Sequence, residues 1–114
     1  MEVIWSDMAL LQLKDILMKV QEDYGQRTAQ KTYDKIDSKV NSLLRFPEIG
    51  TPDHAYSSLS ANGNVLVRHL LVVPNVIYYN VDGDKINVML LVHTKQSPRT
   101  VRNLMKRYFD QQND

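Results

Sequence analysis

Apolar residues in this chain recur every three or four positions in some stretches and run together in others, and that contrast divides the sequence into elements. Ala9, Leu13, Ile16, Leu17, Val20 and Tyr24 share one helical stripe, while Lys14, Asp15, Lys19, Gln21 and Glu22 fall elsewhere. Ser6 ahead of the stripe predicts an N-cap, Asp7 suits the first turn, and Gly25 predicts a left-handed stop. A second stripe, Ala29, Tyr33, Ile36, Val40, Leu43 and Leu44, opens at Thr28 as its cap and stops before Pro47, which disfavours helix at Phe46. So short a link predicts an antiparallel helical hairpin. Glu2 to Trp5, before the hairpin, reads as a short strand.

From Glu48 to Asn64 the signals change to Pro, Gly, Asn and Ser, which predicts a connecting loop with a brief extended piece at Tyr56 to Leu59. Three strands follow, Val65 to Val73, Val76 to Val81 and Lys85 to His93. They are joined around Pro74 and Asn75 and through Asp82, Gly83 and Asp84, and both links are short enough for hairpins. Ser97 and Pro98 open a basic helix over about 98–110 with Val101, Leu104, Met105 and Tyr108 as its apolar stripe. Gln111 to Asp114 reads as a frayed end. The expected fold is α+β, one domain over 1–114. It has an N-terminal strand, an antiparallel helical hairpin on a mostly antiparallel sheet of three to four strands, and a short C-terminal helix.

The strands do not alternate apolar with polar residues. His69 to Val73, Val76 to Tyr79 and Val88 to Val92 want cover on both faces, and one hairpin covers only one. The final helix, a second subunit or an outside partner must close the other. Tyr78 and Tyr79, adjacent on a strand, face opposite ways, so at most one packs with the hairpin and the other is free to meet a base or a partner.

Composition narrows the chemistry. The chain has 114 residues, which suits one modest core, and no cysteine, which removes disulfides, thiolate zinc sites and cysteine nucleophiles together. Met1 to Trp5 lacks the basic start and apolar run of a signal peptide, and no stretch approaches the roughly 20 apolar residues of a membrane span. A cytoplasmic protein without membrane contact is expected. The net charge is +1, but residues 58–114 carry seven bases against four acids. From Lys85 to Arg107 lie six bases, Lys85, Lys95, Arg99, Arg102, Lys106 and Arg107, with no acid among them. That run is either a solvated helix face or a field for phosphates, with Lys85, Arg99, Arg102 and Lys106 as candidate nucleic-acid contacts.

No HxxxH or HExxH, GxSxG, GxxxxGK[ST] or GxGxxG spacing occurs, so neither a metal nor any other cofactor is expected. What remains is Arg, Lys, His and Tyr, an inventory that suits metal-free RNA cleavage by the substrate's own 2′-hydroxyl. Arg68 is a cation inside the apolar run VLVRHLLVV. It is placed there either to bind phosphate on a sheet face or to pair with an acid such as Glu2 or Asp82. His93 ends its strand close to Lys95, a cation that favours the neutral imidazole.

The ordered motifs resemble the RelE/ParE toxin superfamily from Val3 to about Pro98. The start Trp5, Ser6, Asp7, Met8, Ala9 is similar to its W-S-x-x-A, with Asp7 where a proline is common. The Phe46 to Gly50 stop, the Val67 to Val72 arginine strand, the Val76 to Val81 strand and the closing His93 to Pro98 follow in the family's order. The resemblance implies the toxin of a bacterial type II toxin-antitoxin system, neutralised by a cognate antitoxin in a hetero-oligomer. RelE-like members cut mRNA on the ribosome without a metal; ParE-like members poison DNA gyrase. For cleavage, the route put first, Arg68 would steady the phosphate, His93 or Tyr79 would handle protons, and Lys95 would help neutralise the transition state. Thr51 to Val67 contains no lysine, where nucleases of the family carry them, so gyrase inhibition stands as the alternative, with a non-catalytic nucleic-acid-binding module behind it.

Overall fold

The computed structural model describes residues 1–112. In chain order it comprises β1 (Glu2–Trp5), α1 (Asp7–Tyr24), α2 (Gln26–Ser42), β2 (Thr51–Pro52), α3 (His54–Ser57), a 3-10 turn at Ala61–Gly63, β3 (Arg68–Val72), β4 (Asn75–Asp82), β5 (Lys85–His93) and α4 (Pro98–Gln112). The α+β expectation holds, and the hairpin of α1 and α2 turns at Gly25, whose φ of 94° is a conformation that L side chains rarely adopt. Thr28 is not the cap of α2. Gly25 holds the cap position, its carbonyl accepting from the Ala29 amide, and Thr28 lies inside the first turn.

The sheet has five strands in the order β1-β5-β4-β3-β2, more than the three to four expected. β1 runs parallel to β5, and the other neighbours are antiparallel. The extra strand is the two-residue β2 at the edge, where Pro52 can sit because an edge strand need not donate on its outer side. The piece expected to be extended at Tyr56 to Leu59 contains the end of α3 instead. Asp53 caps that short helix by accepting from the Tyr56 amide at 3.3 Å. β3 also begins later than its apolar run, because Val67 is satisfied by the loop. Its N–H donates to the Ser57 hydroxyl at 2.8 Å, and its carbonyl accepts from Asp53 at 2.7 Å. At the other end α4 continues through Gln111 and Gln112, expected to be frayed, while Asn113 and Asp114 lie outside the described residues.

Both sheet faces are covered. Against the hairpin pack Leu70, Val72, Ile77, Tyr79, Ile86, Val88 and Leu91, with Ala9, Ile36, Val40 and Leu43 from the helices. Against α4 pack Tyr78, Met89, Leu90 and Val92, with Val101, Met105, Tyr108 and Phe109 from the helix. The last helix is therefore what closes the second face. Full burial of a side chain such as Met105 contributes about 1.5–3 kcal/mol.

A bulge explains how Val88 and Leu91, three residues apart, reach the same face. Tyr78 pairs with Leu90 but Tyr79 pairs with Val88, so Met89 is an extra residue and joins Leu90 on the α4 side. Past the end of β1, side chains of the first helix finish the edge of β5. The Ser6 hydroxyl donates to the Met89 carbonyl at 2.7 Å while accepting from Ala9, and Gln12 accepts from the Leu91 amide at 2.8 Å.

Candidate functional site

Arg68 enters from β3 opposite Tyr79 on β4. Its guanidinium meets neither Glu2 nor Asp82. Nη1 donates to the carbonyls of Glu48 at 3.1 Å and Gly50 at 2.9 Å, which ties the segment after α2 to the sheet. Tyr79 grips the same segment from within the core. Its side chain is fully buried, and its hydroxyl donates to the Pro47 carbonyl and accepts from the Gly50 amide, each at 2.8 Å. Burial pushes the phenol pKa up, with smaller opposing pulls from the Gly50 amide and Arg68. The Tyr79 hydroxyl, which the resemblance gave a part in handling protons, is thus sealed in the core with its proton and a lone pair both engaged by backbone.

His93 lies at the far end of the strands. It pairs with Asn75, four residues along β4 from Tyr79, the partner of Arg68, a separation of about 13 Å at strand rise. The expected grouping of Arg68 with His93 and Lys95 is therefore not assembled. His93 Nδ1 accepts from the Lys95 amide at 3.0 Å, so the neutral ring carries its proton on Nε2 and has no free lone pair there to act as a base. The ring instead lines a cleft with Lys19, Tyr24, Pro74 and Asn75 beneath the hairpin. Lys95 is exposed in the turn that follows.

The candidate nucleic-acid contacts divide in two. Lys85 opens β5 in register with Glu2 on one side and Asp82 on the other, so it stands among acids rather than in a basic field. Arg99, Arg102 and Lys106 are all exposed on α4, at spacings of three and four that put them along one flank of the helix.

The α4 face of the sheet gathers a group that the motifs did not single out. His69, next to Arg68 but pointing the other way, stands across from Tyr78 with ring centroids 6.2 Å apart. Its buried Nδ1 faces Asp53 Oδ2 at 3.4 Å without a hydrogen bond of good geometry. Tyr56 meets Tyr78 edge to face at 5.5 Å. Burial raises the Tyr78 phenol to about 12, helped by Tyr56 and Asp53. Burial also raises Tyr56, with Asp53 adding to the rise and the nearby Arg102 opposing it. Strand parity alone puts His69 and Tyr78 on one face; the helix α3 that brings Asp53 and Tyr56 to them leaves no periodic trace. Among the described residues no group of three or more His, Asp or Glu is gathered to hold a metal ion, and no helix is long and apolar enough to cross a membrane.

The architecture has a likeness among solved structures. A solved chain described as "Chromosomal ParDE TA system from P. aeruginosa" superposes with a TM-score of 0.65 at 22% identity, covering 82% of this chain and 95% of that one, which is a likeness of fold. No curated protein matches the chain. The family described as "ParE toxin of type II toxin-antitoxin system, parDE" matches residues 3–98, most of the sequence and every element from β1 to β5. The chain belongs to the ParE toxin family of type II toxin-antitoxin systems.

Proposed function

We propose that this toxin arrests growth by binding and inhibiting DNA gyrase, without cutting mRNA. The observation that carries this reading is the use made of the residues expected to cleave RNA. Arg68 and Tyr79 hold the 47–50 segment, and His93 sits at the other end of the sheet with its Nδ1 lone pair occupied. Metal-free cleavage needs a base, an acid and a cation within reach of one phosphate, and these three residues do not supply them together. Inhibition by binding needs only a rigid surface.

A cognate antitoxin is the second partner that this reading carries, in a hetero-oligomer. Its need is supported by apolar residues left in solvent on the hairpin and after it: Leu10, Leu11, Met18, Tyr24, Phe46 and Ile49 are all exposed. A surface this apolar on a small domain favours a covering partner. Expression without the antitoxin is expected to stop growth, and co-expression to restore it. Purified toxin should block supercoiling of relaxed plasmid by gyrase while mRNA on translating ribosomes stays intact. Fragmented mRNA with unimpaired supercoiling would overturn the gyrase reading in favour of cleavage.

A further inference from the structure

The cleft beneath the hairpin, which His93 lines, has no part in the gyrase reading, yet its floor is organised. Asn75 opens β4 in register with His93, the last residue of β5. By strand parity Asn75 shares a face with Ile77, and His93 with Leu91, both of which pack against the hairpin. The two polar side chains are thus cross-strand neighbours on that face, with β-carbons about 4.5–5.5 Å apart. Asn75 is 3% exposed, yet its carboxamide has no hydrogen-bond partner among the described residues and is not wholly shut from solvent. The cleft is where it is reached. The backbone beside it is fixed: the Lys35 ammonium donates to the Val73 carbonyl at 2.9 Å, and the Thr94 amide to the Pro74 carbonyl at 2.8 Å. Ile16 and Val20 of α1, with Pro74, give the cleft apolar walls, and its volume is about 300 Å³, enough for a small molecule.

We propose that this cleft binds a small planar molecule with an apolar body and an amide-type edge, as in an aryl carboxamide or a lactam. The Asn75 carboxamide presents a donor beside an acceptor, and its complement is an edge that sets an acceptor beside a donor. His93 adds a second donor. Its Nδ1 is taken by the Lys95 amide at 3.0 Å, which leaves Nε2–H, a donor whether the ring is neutral or charged. Apart from His93, the charged residues of the lining are Lys19 and Asp23, paired with each other at 3.7 Å, so no net charge there selects a carboxylate. A carboxylate would also set an oxygen against the Asn75 carbonyl. A buried amide without a partner weakens the free fold, and a ligand of this class supplies what it lacks. The site needs no protein target, so it stands or falls apart from the gyrase reading.

The test is a titration of the isotope-labelled full chain with benzamide, followed by nuclear magnetic resonance without gyrase present. The Asn75 side-chain amide and the Ile16 and Val20 methyls should shift and saturate with a dissociation constant of about 1 mM, while Met105, on the other side of the sheet, stays still. Benzoate, the charged isostere, should bind about ten-fold more weakly. So should N-acetylglutaminamide, which carries the carboxamide as a protein partner would present it, without the ring. Asn75→Leu should weaken benzamide binding about ten-fold while leaving the urea midpoint unchanged or raised, because the amide bonds to nothing in the free protein. His93→Phe should weaken binding by a similar factor. The proposal is overturned if benzamide gives no saturable shift at Asn75 up to about 20 mM. It is equally overturned if benzoate or N-acetylglutaminamide binds as tightly, if Asn75→Leu binds like the parent, or if Asn75→Leu lowers the midpoint and so marks the amide as structural.

Discussion

The phenol of Tyr79 and the backbone of Gly50 lie in direct contact: the Gly50 amide donates to the Tyr79 hydroxyl at 2.8 Å, and a β-carbon at position 50 would stand 2.6 Å from the ring. Glycine is needed there for lack of room, not for an unusual dihedral. Gly50→Ala should therefore cost about 1–3 kcal/mol through overpacking. Tyr79→Phe should cost about 1–3 kcal/mol by leaving the Gly50 amide buried without an acceptor. Urea denaturation measures both; midpoints equal to that of the parent would show that the contact contributes nothing.

Arg68 holds the same segment from the other side through the carbonyls of Glu48 and Gly50. Arg68→Ala should lower stability by about 1–2 kcal/mol, because charge-assisted bonds to two carbonyls are lost at a partly buried site. Any loss of toxicity should follow from movement of residues 47–50, so hydrogen exchange in that segment should rise with it. A variant that loses toxicity with unaltered exchange there would instead mark the guanidinium as a direct contact to the target.

Tyr78 titrates late, at about 12, chiefly because it is buried. Tyr56, Tyr79 and Tyr108 are also shifted upward, each chiefly by burial. Below pH 10 these phenols are neutral in folded and unfolded chains alike. Above it the unfolded chain ionises first, so stability falls as pH rises through the folded values. For Tyr78 alone the loss reaches about 2–3 kcal/mol between pH 10 and 12. Stability followed from pH 9 to 12 should decline more gently in Tyr78→Phe than in the parent. Equal slopes would mean that the hydroxyl is solvated.

Helix α4 is a structural cover, with Met105 fully buried on its inner face. Met105→Ala should cost about 2–5 kcal/mol by opening a cavity against the sheet. Arg107→Ala, on the exposed side of the same helix, should stay within about 0.5 kcal/mol. If Met105→Ala is as mild as the surface change, α4 does not close the second face in solution.

Much of the fold was legible because its signals are local. The stripe from Ala9 to Val20 and the break at Gly25 foretell the hairpin, and Ser97 with Pro98 foretells the start of α4. Thr100 does donate to the Ser97 hydroxyl, at 3.1 Å. The unbroken apolar runs of β4 and β5 announced that both faces would be buried, though not by what. The two-residue β2 and the four-residue α3 were not legible, because elements so short fix no period; long-range contacts through Asp53, Ser57 and Val67 decide them.

The site divides in the same way. Arg68 was conspicuous because a cation in an apolar strand needs a partner, and the sequence by itself determined that much, along with the family and the helices and strands that build it. Only the tertiary structure decided that the partners are carbonyls, that His93 stands at the opposite end, and that Asp53 and His69 come together. Hydrophobic periodicity reports which side of one element faces inward, within a turn or a strand pair. Strand register and the docking of loops depend on contacts between residues tens of positions apart, and no single stretch of sequence contains both halves of such a contact.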